Sequence, residues 1–191
     1  MVFKMVKRLL DLLLALIAIV VLSIPILIIV IAVAVTSRGP VIYWSQRVGR
    51  DKIIFKMPKF RTMEVGSPEV ATHLLLNPEN LLTPIGSFLR RTSLDELPQI
   101  WSIVMGDMSF VGPRPALYNQ NDLIESRELN GVNQLTPGLT GWAQLNGRDS
   151  LPIPEKVALD VEYLKHKSFL FDLKILFLTT RLVLSRVGVS H

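Results

Sequence analysis

The sequence predicts an α+β fold, mainly helical with a small β-hairpin or sheet, attached to an N-terminal membrane helix. Three observations predict it. An apolar run fills residues 12–35, two short β-prone segments joined by a turn follow, and the rest alternates helix-period stretches with Pro- and Gly-rich connectors. The 191 residues hold 21 Lys+Arg against 16 Asp+Glu, a net charge of +5, and are 49% hydrophobic. That length suits one domain plus an anchor. The composition excludes a disordered chain and a collagen-like one. With no cysteine, disulfide frameworks, Cys-zinc sites, iron–sulfur clusters and thiol nucleophiles are excluded, and a reducing compartment is fitting.

Between Leu12 and Val35 only Ser23 and Pro25 interrupt the apolar run. At 1.5 Å per residue it makes about 36 Å of helix, enough to cross a ~30 Å hydrocarbon core. We divide the chain into residues 1–38, the membrane segment, and residues 39–191, one globular domain. Lys4, Lys7 and Arg8 precede the run, and Arg38, Arg47 and Arg50 follow it. Positive charge on both flanks conflicts with a simple span. Pro25 removes a helical hydrogen bond and crowds the preceding turn. Two geometries fit equally: a kinked, tilted span, or a hairpin that enters and leaves by one face.

In the globular part, Val41–Ser45 and Lys52–Phe60 read as strands joined by a turn at residues 48–51. The stretch from Glu64 to Pro84 has no period and reads as a mobile loop. Ile85–Arg91 and Leu94–Met105 read as helices, Phe110–Ala116 as a rigid connector, Asn119–Glu128 as a charged helix and Leu135–Arg148 as loop. Ile153–Lys165 is helical. Ser168–Ser185 is strongly apolar and fits either an interfacial amphipathic helix or a core helix.

The chemistry concentrates in residues 90–99, Arg-Arg-Thr-Ser-Leu-Asp-Glu-Leu-Pro-Gln. Ser93 followed by Glu96 has the spacing of a capping box, which would leave both residues purely structural. The same segment carries parts for phosphoryl chemistry. A helix N-terminus and two arginines favour a phosphate. Asp95 and Glu96 offer the one or two carboxylates that Mg²⁺ takes beside substrate phosphates. A carboxylate can also attack phosphorus as a nucleophile. Lys59, Arg61 and Arg114 are further candidates for phosphate, and Pro113 and Pro115 fix the backbone around Arg114. Gln144 and Arg148, in a Gly-containing loop, are candidates for contact with a nucleotide or sugar. His73, His166 and His191 have no metal spacing. No P-loop, GxGxxG or nucleic-acid reader motif occurs, so the basic balance points to lipid headgroups and substrate phosphates rather than nucleic acid.

Several ordered blocks carry a resemblance: Lys7-Arg8-x-x-Asp11, Gly39-Pro40-Val41, Gln46-Arg47-x-Gly49, Lys59-Phe60-Arg61-Thr62-Met63, residues 89–99, residues 106–115 and Pro137–Gln144 with Asn146-Gly147-Arg148. In these the sequence resembles the bacterial sugar transferases, the monotopic phosphoglycosyl transferases, over nearly its whole length. It is most similar to the small bacillosamine-type enzymes. The resemblance implies that Asp95 is the nucleophile, Glu96 its partner, Mg²⁺ the cofactor, and Arg90 a phosphate ligand. It implies a re-entrant membrane helix broken at Ser-Pro, here Ser23-Ile24-Pro25 with one residue inserted. It implies attachment to the bacterial inner membrane with the catalytic domain on the cytoplasmic face. The implied partners are a UDP-sugar, undecaprenyl phosphate, membrane lipid and downstream glycosyltransferases. A UDP-sugar hydrolase and a non-catalytic scaffold are the alternatives.

Overall fold

The computed structural model describes residues 2–68, 70, 78–147 and 151–185. Helix α1 runs from Val2 to Thr36. Strands β1 (Ile42–Val48) and β2 (Ile54–Phe60) form an antiparallel hairpin in which Ile42 faces Phe60 and Val48 faces Ile54. Then come α2 (Gly86–Arg91), a 3₁₀ turn at Leu94–Gln99, α3 (Ile100–Met105), β3 (Ser109–Val111) and α4 (Asn121–Leu129). Strand β4 (Gly138–Thr140), α5 (Trp142–Leu145), α6 (Ile153–His166) and α7 (Phe169–Ser185) complete the described fold. Helices dominate, as the sequence predicts, and the strands form two small sheets, the expected β1–β2 hairpin and an unexpected β3–β4 pair.

Helix α1 departs from the expected arrangement in one way. It is a single element through Ser23 and Pro25, without the predicted break. Pro25 withholds its amide from the Val21 carbonyl, and the Ser23 hydroxyl donates to the neighbouring Val20 carbonyl at 2.9 Å. One missing hydrogen bond does not end a helix whose other turns remain intact. Residues of α1 also pack against the rest of the chain. Ala15, Ala18 and Leu22 pack with Phe55, Met57 and Ile103, and Ile26, Ile29 and Val33 pack with Phe60 and Leu89. The steps of three and four place these residues in one stripe along the helix. The globular domain lies against that stripe, while Leu9, Leu13, Leu16, Val20, Ile24, Ile28 and Val35 are exposed on other faces. Apolar area this continuous marks a surface for lipid or another apolar partner. Over 33 residues α1 is long and apolar enough to cross a membrane.

Polar contacts secure the N-terminal end of α1. Arg8 donates to the carbonyls of Ile103 and Val104 at 2.5 and 2.7 Å, capping the last turn of α3. The Asp11 carboxylate accepts from the Ser109 hydroxyl and the Phe110 amide at 3.1 and 3.0 Å. Lys7 pairs with Asp172 of α7 at 2.5 Å, and Asp172 also accepts from Tyr163 of α6 at 2.7 Å. Helix α7 is half core and half surface. Ile175 is wholly buried, whereas Leu170, Leu173 and Phe177 are exposed on the other face. That division suits an interfacial helix.

The stretch predicted as loop between Leu135 and Arg148 contains β4 and α5 instead. Strand β4 pairs in parallel with β3, Ser109 opposite Gly138 and Val111 opposite Thr140. A side chain at Gly138 would meet the Gly112 amide nitrogen at 2.1 Å, so only glycine permits this approach. Gly138→Ala is expected to cost at least about 3 kcal/mol, the upper part of the overpacking range, because backbone rather than side chain must move. Thermal unfolding measures it. The predicted loop at Glu64–Pro84 contains a bridge between Met63 and Leu82 and a 3₁₀ turn at Pro78–Leu81, while residues 69 and 71–77 lie outside the described residues.

Candidate active site

Three elements converge on the Asp95-Glu96 pair. Strand β2 buries Phe55, Met57 and Phe60. Alternation along the strand turns Lys59 to the face opposite Phe60. There its Nζ lies 2.8 Å from Glu96 Oε1 and 3.9 Å from Asp95 Oδ2. The connector after β3 supplies Arg114, whose guanidinium donates to Glu96 Oε1 at 2.7 Å and Oε2 at 3.4 Å. Helix α2 supplies Arg90, whose Nε donates to the Thr62 hydroxyl at 3.0 Å. Asp95 is the charge that acts on Arg90, offsetting in part the burial that lowers its pKa.

The two carboxylates differ in their surroundings. Glu96 is gripped by both Arg114 and Lys59. These cations hold its pKa well below the usual carboxylate value, although burial opposes them. Asp95 is 7% exposed, and Lys59 reaches it only at 3.9 Å. Burial, first of all, and the neighbouring Glu96 push its pKa up, while Lys59, Arg114 and Arg90 pull it back. Environment thus sets two adjacent acids apart, one locked in an ion pair and one poised.

The capping box is not formed. Ser93 sits in the left-handed region at φ 56° and makes no side-chain cap bond, and Leu94–Gln99 is a 3₁₀ turn rather than α-helix. Pro98 explains it. An α-helix capped at Ser93 would need a Pro98 amide for the Leu94 carbonyl, and proline has none. The Glu96 amide is taken by the Ser93 carbonyl at 3.2 Å, the first bond of that 3₁₀ turn. Left-handed backbone costs a non-glycine residue about 1–2 kcal/mol. Ser93→Gly is therefore expected to raise the thermal midpoint, and Ser93→Val to lower it. The opposite order would show that the Ser93 side chain caps after all.

The remaining candidates lie elsewhere. Arg61 is 5% exposed and donates to the Ser37 carbonyl and hydroxyl at 2.9 and 2.7 Å, at the end of α1. Strand β2 stops at Phe60, so the alternation that aims Lys59 no longer governs Arg61. Gln144 is buried on α5 and donates to the Leu139 carbonyl at 3.0 Å. Neither is drawn to the carboxylate pair. Arg148 lies outside the described residues. Ser23 and Pro25 lie within α1. The sequence reading missed Thr62, which steadies Arg90, although it falls inside the Lys59–Met63 block.

Asp95 and Glu96 fit a divalent cation only in part on their own. Among the described residues no group of three or more His, Cys, Asp or Glu side chains converges. Two carboxylates, one of them open, suit Mg²⁺ carried in with a substrate phosphate.

A profile of the bacterial sugar transferases matches residues 2–186. The chain is 41% identical over 186 residues to the UDP-glucose:undecaprenyl-phosphate glucose-1-phosphate transferase of Escherichia coli (strain K12), covering 92% of this chain and 39% of the relative. It is 38% identical over 185 residues to the uncharacterized sugar transferase EpsL of Bacillus subtilis (strain 168), covering 97% of this chain and 90% of the relative. It is 34% identical over 200 residues to the undecaprenyl-phosphate galactose phosphotransferase of Salmonella typhimurium, covering 97% of this chain and 42% of the relative. It thus spans about two fifths of two of these relatives and nine tenths of the third. With the matched profile extending from the first turns of α1 into the last of α7, the chain belongs to the bacterial sugar transferase family.

Proposed function

We propose that the chain is a phosphoglycosyl transferase that moves a sugar 1-phosphate from a UDP-sugar to undecaprenyl phosphate and releases UMP. The observation that carries this reading is the asymmetry of the pair: Glu96 is locked by Lys59 and Arg114, while Asp95 is buried, open and faced by cations. The names of the relatives support the substrate classes and put UDP-glucose and a galactose donor first among those to try.

In the proposed first step an Asp95 carboxylate oxygen attacks the β-phosphorus of the UDP-sugar. The phosphoanhydride bond breaks, its electron pair leaves with UMP, and the sugar phosphate remains on Asp95 as an acyl phosphate. Arg114 and Lys59 hold Glu96 in place, and Arg90 and Lys59 offer positive charge to the phosphate. In the second step a phosphate oxygen of the lipid acceptor attacks the same phosphorus and restores the Asp95 carboxylate. One phosphoanhydride replaces another, so the reaction runs readily in both directions and UMP inhibits it. Asp95 and Glu96 would hold Mg²⁺, which when bound would supply positive charge to a diphosphate.

A covalent relay suits a site shared by a water-soluble donor and a membrane-bound acceptor. The face of α1 turned away from the domain supports monotopic attachment, and a UDP-sugar donor would require the site to face the cytoplasm at the inner membrane. There the product would be handed to downstream glycosyltransferases. The test is intact mass of the full chain mixed with Mg²⁺ and a panel of UDP-sugars, without lipid, beside Asp95→Asn. A sugar-phosphate adduct on the wild type alone, with stoichiometric UMP, is expected. Steady UMP release with no adduct would replace the relay by hydrolysis or direct transfer.

A further inference from the structure

The Pro113-Arg114-Pro115 segment is held in an unusual manner. Its prolines have no amide to donate, so the main chain is secured through its carbonyls. Four successive carbonyls each accept a hydrogen bond from outside the segment. Pro113 accepts from the Gly138 amide at 2.9 Å and Ala116 from the Val48 amide at 3.0 Å. Pro115 accepts from Arg47 Nη1 at 3.2 Å, and Arg114 from Arg127 Nη1 at 2.8 Å. Two of the four donors are therefore arginine side chains.

Arg127 is the more constrained of the two. It is 5% exposed on α4, one turn after buried Leu123. Its Nε and Nη2 both donate to Asp160 Oδ2 of α6, at 2.9 and 2.7 Å. Asp160 is 1% exposed. A buried ion pair adds little net stability, because desolvation offsets the attraction. What it fixes here is direction. The guanidinium is a rigid planar fork, so anchoring two of its N–H groups on Asp160 aims the third at the Arg114 carbonyl. Arg114 in turn sends its own guanidinium to Glu96.

We propose that Arg127, oriented by Asp160, is a positioning residue for the active site: it fixes the backbone of Arg114 and so places the guanidinium that grips Glu96. The inference rests on the reading of Glu96 and Arg114 as active-site residues. It assigns a role to a pair outside the motifs that mark the family resemblance.

Arg127→Lys is the informative substitution. It keeps a cation opposite Asp160, but one ammonium lacks the fork that serves both partners. The full chain in detergent is examined by thermal unfolding, by UMP release from a UDP-sugar, and by nitrogen–proton NMR of the Arg114 guanidinium. Arg127→Lys is expected to fold, to lose roughly 10- to 100-fold in kcat, as small misplacements at a reacting centre do, and to shift the Arg114 guanidinium signal. In an Arg114→Ala background the same substitution is expected to change kcat no further, the signature of action through Arg114. Losses that multiply in the double variant, or an unmoved Arg114 signal, would overturn the proposal. Should Arg127→Lys not fold, the uncharged pair Arg127→Gln with Asp160→Asn carries the same expectations. A wild-type chain that releases no UMP from any donor would defeat the transferase reading, while the Arg114 signal would still decide the role of Arg127.

Discussion

Asp95→Asn is expected to abolish UMP release and, at the same time, to raise the thermal stability of the protein. The loss of activity should be on the order of 10⁴-fold, as for removal of a catalytic nucleophile. The gain in stability follows from linkage. The folded protein holds the Asp95 pKa above its ordinary value of 3.8, chiefly through burial. Such a group stabilises the fold while protonated, below its unfolded pKa, and that contribution is lost as pH rises through the folded pKa. At neutral pH the ionised carboxylate therefore works against folding, and asparagine relieves the burden. The midpoint should rise by about 2–4 °C for each kcal/mol relieved. A variant that is inactive and less stable would mean that Asp95 is a structural ion-pair partner rather than a strained reactive group.

Glu96→Gln should behave in the opposite sense on stability. The folded protein holds the Glu96 pKa well below 4.5, so its contribution is present above the unfolded pKa and lost only as pH falls through the folded one. Removing the charge leaves Lys59 and Arg114 without their shared acceptor. A loss of about 1–3 kcal/mol is expected, with activity falling roughly 10²–10³-fold as the cations lose their register. The pH dependence separates the two acids. In the wild type the acid limb of the rate is expected to follow protonation of Asp95, at a pH above the ordinary aspartate value, with Glu96 still ionised. In Glu96→Gln a like charge beside Asp95 disappears and Lys59 and Arg114 are freed. The acid limb of the residual activity should move to lower pH. An unmoved limb would assign it to another group.

Much of the fold was legible in the sequence because its signals are local. The β-hairpin follows from two β-prone runs around a four-residue turn, and the long C-terminal helices from their periodicity. Pairing of β3 with β4 was not legible, since each strand has three residues and the partners lie 29 positions apart, Ser109 to Gly138. The buried face of α1 was hidden for another reason: a helix apolar on every side carries no polar face to mark which stripe packs. Within the site, Lys59, Arg90 and Arg114 were identifiable as cations near the acidic pair, and the structure gathers all three there. Arg61 was indistinguishable from them by residue type, yet the end of β2 turns it to Ser37. The capping pattern at Ser93 misled because it was read without Pro98, which takes a hydrogen bond from the very start of the short α-helix that such a cap would begin.

The contacts that seat α1 have a consequence for the order of assembly. Arg8 finds its carbonyls 95 and 96 positions later in the chain, Asp11 its donors 98 and 99 later, and Lys7 its carboxylate 165 later. A growing chain places the apolar helix in or near lipid before any of these partners has been synthesised. The hairpin and short helices form from near neighbours, whereas the seat for the helix awaits contacts of long sequence separation, which are slow to close. Lys7, Arg8 and Asp11 must stay hydrated or among headgroups throughout that interval. On the proposed monotopic attachment, the bilayer would serve as a holding surface for this helix, and the rest of the domain would mature by closing onto a helix already in place.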